Sequence, residues 1–417
     1  MPSTHRQSLL TLALCVYAVS TLISMAVMSI GTALLVVALL WAFGGPKALW
    51  AQIREDVKTS VWARRYLWVS IALALSCFGS LVWAKLAPLS YGGKSADVHV
   101  LKDSLKLWYL FWPLPLAAGL KALSPERRMK ILTSWIATCA VLGVIAVIQH
   151  FTGWPRPQGI PSPTPPLRYH ATLFLGHHLS VASILIFPFF ASLDFFKRKK
   201  QWLWGLAAAL GATALFLTYS RTLWAALPLA IFTWLVINLP KRAKVAVVVL
   251  FVLGIAGASQ LPQIKARFSA WDFQYSVTTR ADLWKANLEF LKERPLLGVG
   301  WKHNQELSGY YLMEKLNTKD VFSGHAHNNL LDMLGGTGIA GALSWLAWSL
   351  LVIAMAWAAM RRRLSAPDVF ASGLLCAWIA FQLNGVTQVN FWEAKVTHQA
   401  MWMVAWSLLW LERREEA

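Results

Sequence analysis

Among residues whose types and spacing suit chemistry, the segment Gly324-His325-Ala326-His327-Asn328-Asn329 stands out. An imidazole of near-neutral pKa accepts a proton from a hydroxyl and later releases it, so His327 or His325 suits a general base. Histidines two apart do not share one helical face, so a helical segment aims only one of them into a given site. An extended His-x-His can ligate a metal, but a catalytic zinc needs a third nearby ligand, and no Glu-x-x-His or cysteine follows. No metal and no cofactor are therefore expected. Arg221 interrupts the apolar stretch Trp202 to Leu239 within Leu217-Thr-Tyr-Ser-Arg-Thr-Leu-Trp224. A charge there marks a site or partner, or snorkels to the headgroups from a helix end. Its planar fork fits phosphate oxygens in a way lysine does not copy.

Thr278-Thr279-Arg280 opens what reads as an amphipathic helix with a threonine cap, apolar residues at 283, 284, 288 and 291, and Pro295 beyond its end. Arg280 then falls in the first turn, where a cation is disfavoured unless an anion shares the site; Asp282 is the alternative local partner. The glycines of Pro295-Leu-Leu-Gly298-Val-Gly300 permit a turn with positive φ. Gly335, Gly336, Gly338 and Gly341 read as small residues for close helix packing. His150, His170, His177 and His178 read as interfacial polar histidines.

These residues need elements to hold them, and composition names the class. Hydrophobic residues make up 57% of the 417, charged residues 14%, and there are 24 Trp, a balance that belongs in lipid. A spanning helix needs roughly 20 apolar residues, and the runs suffice for about twelve helices. The run Leu9 to Phe43 splits near Ser24, and further spans are expected at 66–84, 104–120, 131–150, 171–193, 202–219, 222–239, 244–261, 334–359, 369–386 and 397–411. The chain thus reads as an all-α polytopic membrane protein. Helices one to nine occupy 1–261, one long loop with short helices occupies 262–333, and helices ten to twelve occupy 334–417. The tryptophans read mostly as interfacial belts and core packing.

Alternate connections are rich in Lys and Arg: 47–65, 121–130, 197–200, 241–244 and 361–363. The positive-inside rule puts these and both termini in the cytoplasm. The opposite segments 85–103, 151–170, 262–333 and 387–396 nevertheless hold more basic than acidic residues, which suggests an anion bound outside, although anionic headgroups also attract lysine. Cys15, Cys77, Cys139 and Cys376 lie in apolar runs and suggest packing, not a disulfide framework. With no P-loop and no Gly-x-Gly-x-x-Gly, a nucleotide substrate is not indicated, and no nucleic-acid partner is expected. A transporter is a competing class, but acidic residues within the spans are nearly absent and the halves show no repeat.

One long late outer loop, the Ser220-Arg221 turn, Arg280 followed by Trp284, the Pro295–Gly300 turn, and His327-Asn328 leading into Gly335 to Gly341 resemble the bacterial O-antigen ligases. O-antigen polymerases and O-linked oligosaccharyltransferases share the broad pattern and are the alternative readings. The resemblance implies a membrane glycosyltransferase of GT-C type in the bacterial inner membrane, active on the periplasmic face. It implies transfer of O-antigen polysaccharide from undecaprenyl pyrophosphate to a sugar hydroxyl of the lipid A core, metal-independent and inverting, with membrane lipids around it. Residue by residue, Arg221 and Arg280 would hold the pyrophosphate, and His327, or the adjacent His325, would be the essential histidine. Lys85 would match a basic residue at the outer end of the third span.

Overall fold

A computed structural model describes residues 3–158, 168–269, 271–316 and 324–412. In chain order the helices are α1 Thr4–Ile23, α2 Met25–Phe43, α3 Pro46–Thr59, α4 Val61–Leu86, α5 Val100–Ser104, α6 Pro113–Lys121, α7 Pro125–Thr152, α8 His178–Lys199 and α9 Trp202–Leu217. They continue as α10 Arg221–Asn238, α11 Lys241–Ala258, α12 Pro262–Ser269, α13 Trp271–Glu293, α14 Asn304–Leu316, α15 Asn329–Arg361, α16 Ala371–Asn384 and α17 Ala394–Glu412. A two-residue strand pair, Ser90–Tyr91 with Lys94–Ser95, is the one sheet among the described residues. Seven of the described helices, α1, α2, α4, α7, α8, α10 and α15, are long and apolar enough to cross a membrane, while α9 and α16 are apolar but shorter.

Local chemistry sets the boundaries. Ser24 is extended and its hydroxyl accepts from the Val27 amide, so the long first run divides there into α1 and α2. The span expected at 104–120 is not one helix: a 3-10 segment Leu105–Phe111 intervenes, and α6 starts afresh at Pro113, which lacks the N–H to continue a helical ladder. The span expected from 171 starts only at His178, because the Ala171 amide bonds the Leu217 carbonyl at the end of α9 and Gly176 turns the chain at φ 81°.

At the centre stands α17, buried along Val396–Leu411 against α1, α6, α8 and α15. Trp402, Trp406 and Trp410, spaced four apart, form one aromatic ridge, with Trp410 edge-on to Phe370 at 4.9 Å between centroids. These tryptophans pack the core.

The connections gather at two ends. Lys121 pairs with Asp56 and Glu412, Arg128 with Asp368 at 2.7 Å, and Arg198 bonds the 365–369 carbonyls, so the basic connections share one end. At the other end of the same long helices, Arg294 bonds the Ala87 carbonyl, His303 meets Asp103, Ser180 meets Glu393 and Lys395 bonds the Leu175 carbonyl. The arginines and histidines singled out above lie at this second end.

Candidate active site

Helix α13 carries Arg280, though not in the way its sequence suggests. It begins at Trp271, so Arg280 lies in mid-helix, and the proposed cap is a helix interior: the Thr278 hydroxyl bonds back to the carbonyls of Gln274 and Tyr275. Arg280 is therefore not a disfavoured first-turn cation. Asp282 pairs with Lys285 at 3.1 Å. The buried face runs through Leu283, Ala286, Asn287 and Phe290, one step round from the expected one, and Leu288 is exposed. Phe290 and Ala286 form a small core with Tyr91, Val299 and Leu307.

Three buried polar residues tie this helix to the next two. The Asn304 amide donates to Asn287 Oδ1 at 2.8 Å and to Asp332 Oδ1 at 3.0 Å, and Asn287 donates to the Leu283 carbonyl. Asp332 also accepts from the Ala326 amide at 3.1 Å, while Trp284 Nε1 donates to the Ala326 carbonyl at 2.7 Å. Ala326 is thus held on both its backbone groups between the two histidines. Asn328 caps α15 by accepting from the Leu331 amide, and His327, just before that cap, is left-handed at φ 47°. A non-glycine residue there is costly and persists only where its surroundings over-determine it.

Two of the α15 glycines do allow close packing, Gly335 against Asn287 of α13 and Gly336 against Asn304 of α14, and the group also makes a break in the helix. Gly338 breaks the helix at φ 64°, ψ −164°. A continuous helix would pair the Gly335 and Gly336 carbonyls with the Ile339 and Ala340 amides. Instead the Val299 and Gly300 amides donate to Gly335 and Gly336, and Ile339 and Ala340 donate to the Pro295 and Leu296 carbonyls. The Pro295–Gly300 turn splints the break with four backbone hydrogen bonds. Gly298, at φ 65°, has no room for a side chain: a Cβ would lie 2.6 Å from Gly335 O, Gly336 C and Gly338 N.

A third segment, 385–393, closes the site. Asn329 and Asn390 exchange hydrogen bonds, the Asn328 amide donates to the Val386 carbonyl, and Thr222 meets Thr387. Arg221 is the first residue of α10 behind the Ser220 cap, so this segment joins its helix start to the histidines. His327 Nδ1 lies 3.2 Å from Gln388 Oε1, and Gln388 Nε2 lies 3.4 Å from Glu393. The His327 amide donates to His325 Nδ1 at 3.3 Å, with the two rings edge to face at 4.2 Å. Burial, then the neighbouring His325, Arg280 and His177, push the His327 pKa down to about 3 against the Gln388 contact, which raises it. The imidazole is therefore neutral at physiological pH, with a lone pair to offer.

Arg221, Arg280, His325 and His327 thus lie at one end of the molecule, and Lys85, two residues before Ala87, lies at the same end. It lies exposed on the rim of a separate cavity of about 500 Å³ with Val98, His99 and Lys102. Sequence reading missed Gln388, Glu393 and Lys302. Lys302 Nζ donates to the Trp392 carbonyl at 2.9 Å, and burial together with Lys106 lowers its pKa to about 8, opposed by Asp332 and Glu393. His178 stacks on His170 at 4.4 Å and lies 5.0 Å from His177, which in turn faces His325 and His327.

Residues 206–346, from α9 into α15, match the family model described as O-antigen ligase. The matched stretch, about a third of the chain, is similar to the O-antigen ligases. The O-antigen ligase stretch contains Arg221, Arg280, the splinting turn, both histidines and the α15 glycines, whereas Gln388, Glu393 and Lys85 lie outside it. That similarity implies glycosyl transfer in the broad sense, a lipid-linked polysaccharide as substrate class and a membrane setting, and the apolar helices fit the last of these. No curated protein matches the chain.

Proposed function

We propose that this chain is an O-antigen ligase of the bacterial inner membrane. It moves O-antigen polysaccharide from undecaprenyl pyrophosphate to a sugar hydroxyl of lipid A core on the periplasmic face. The observation that carries this reading is the convergence of Arg280, and of the Arg221 helix start through segment 386–388, on a neutral His327. The acceptor hydroxyl attacks the anomeric carbon from the face opposite the phosphate, and the bond from that carbon to the phosphate oxygen breaks. Carrier pyrophosphate leaves, and the hydroxyl proton passes to His327. Arg221 and Arg280 bind the pyrophosphate and offset the charge developing on it, the part a divalent cation plays in many glycosyl transfers. His327 is a better base than His325, whose Nδ1 is already occupied by the His327 amide. The 262–333 loop is the catalytic loop, with both termini cytoplasmic. Lys85, across its own cavity, is at most a peripheral contact for the donor.

The test is an assay of purified protein with carrier-linked glycan and lipid A core acceptor. His327→Ala leaves donor binding near wild type and lowers single-turnover transfer by about 10²–10⁴-fold. Arg221→Lys and Arg280→Lys keep the charge but lose the bidentate fork, so donor affinity and rate both fall. A wild-type transfer rate in His327→Ala sinks the base assignment.

A further inference from the structure

We infer that Gln388 and Glu393 form a positioning pair that fixes the proton of His327 on Nδ1 and leaves Nε2 as its basic nitrogen. This rests on the reading of His327 as the base. Glu393 carries a carboxylate, which only accepts hydrogen bonds. Its Oε2 takes the Ser180 hydroxyl of α8, and its Oε1 faces Gln388 Nε2. A side-chain amide has a donor end and an acceptor end, so an acceptor-only neighbour selects the NH2. The Gln388 carbonyl oxygen is thereby turned toward His327 Nδ1. A carbonyl oxygen has no proton to give, so Nδ1 must carry one, and in a neutral ring the lone pair sits on Nε2.

The surroundings keep the ring neutral and the assignment single. Gln388 is 2% exposed, so water does not replace either of its contacts. The charged and titratable groups facing His327 are Arg280 on α13, His325 on its own segment and His177 ahead of α8. All three oppose a second proton. His325 receives the His327 amide on its own Nδ1, which makes it an Nε2–H donor and no competitor for the acceptor's proton. Neither Gln388 nor Glu393 touches reacting atoms in this scheme; both act through the imidazole, as the second partner of a ligating or catalytic histidine commonly does.

Full-length protein in lipid nanodiscs, with nitrogen-15 in the histidine imidazoles, tests the pair without turnover. The His327 signal, identified by its loss in His327→Ala, shows the proton on Nδ1 in the wild type. Gln388→Leu and the isosteric Glu393→Gln each give mixed tautomers. Gln388→Glu restores the Nδ1 proton, because a carboxyl oxygen takes the place of the amide oxygen. In the transfer assay Gln388→Leu lowers kcat by about 10–100-fold with the donor KM near wild type, the range for removing a partner that orients an imidazole. A wild-type proton on Nε2, or an unchanged tautomer in both Gln388→Leu and Glu393→Gln, overturns the pair. Failure of the underlying reading appears differently, as a wild-type transfer rate in His327→Ala while the tautomer readout is as stated.

Discussion

At the scale of the residue, the proposed base, His327, is both buried and close to the positive charge of Arg280. Its pKa, pushed from the ordinary 6.5 to about 3, makes it available but weak in the empty site. An anionic pyrophosphate beside Arg280 offsets part of that field and raises the imidazole pKa when it is needed as a base. The sign follows: the acid limb of kcat/KM, which reports free enzyme, lies well below pH 6.5, and the limb of kcat, which reports the bound complex, lies at higher pH. Arg280→Gln moves the first limb upward by removing a cation. Two limbs that coincide near 6.5 and ignore Arg280→Gln would contradict this account. The residue types were legible in the sequence, since an arginine in an apolar run and a His-x-His before a span are rare signals. Their partners were not: Gln388 and Glu393 lie far along the chain in an unremarkable segment, and only folding brings them to His327.

Elements show the opposite pattern, with existence easy to read and function misread. The α15 glycines looked like a helix-packing stripe because small residues at short spacing are the ordinary signature of that use. Gly335 and Gly336 do pack against α13 and α14, but they also bond the backbone of the Pro295–Gly300 turn, a contact no periodicity reports. Likewise, Thr278 and Thr279 looked like a cap because threonine favours that position, yet the helix runs through them from Trp271. The splint predicts that Gly298→Ala is severe: the left-handed backbone and the 2.6 Å approach to three α15 backbone atoms together cost about 2–5 kcal/mol. Thermal unfolding in detergent reads the loss. A Gly298→Ala protein that melts with the wild type would show that the turn does not hold the break. Ala→Gly changes elsewhere on α15 carry no such penalty.

For the whole molecule, segregation of basic connections at one end was the most legible feature, because alternating Lys and Arg clusters are visible without any geometry. The break of the expected 104–120 span was less so, although Pro113 and Pro115 are in plain view. The proposed orientation is tested by single cysteines and a membrane-impermeant thiol reagent; Cys77, Cys139 and Cys376 are buried, and Cys15 is partly so. A cysteine at exposed Lys292 labels in intact spheroplasts, and one at Lys200 labels only after permeabilisation. The reverse pattern overturns the orientation. The splinted break also bears on biogenesis. Synthesis delivers the Pro295–Gly300 turn before α15, so in the proposed orientation that helix enters the membrane with the partner of its interrupted ladder already exported. Until the two dock, the Gly335 and Gly336 carbonyls and the Ile339 and Ala340 amides are without their partners, a costly state at a membrane edge. In the proposed orientation, export of the loop is thus a precondition for seating the last fifth of the chain, and assembly of the proposed catalytic end and completion of the helix bundle become one event.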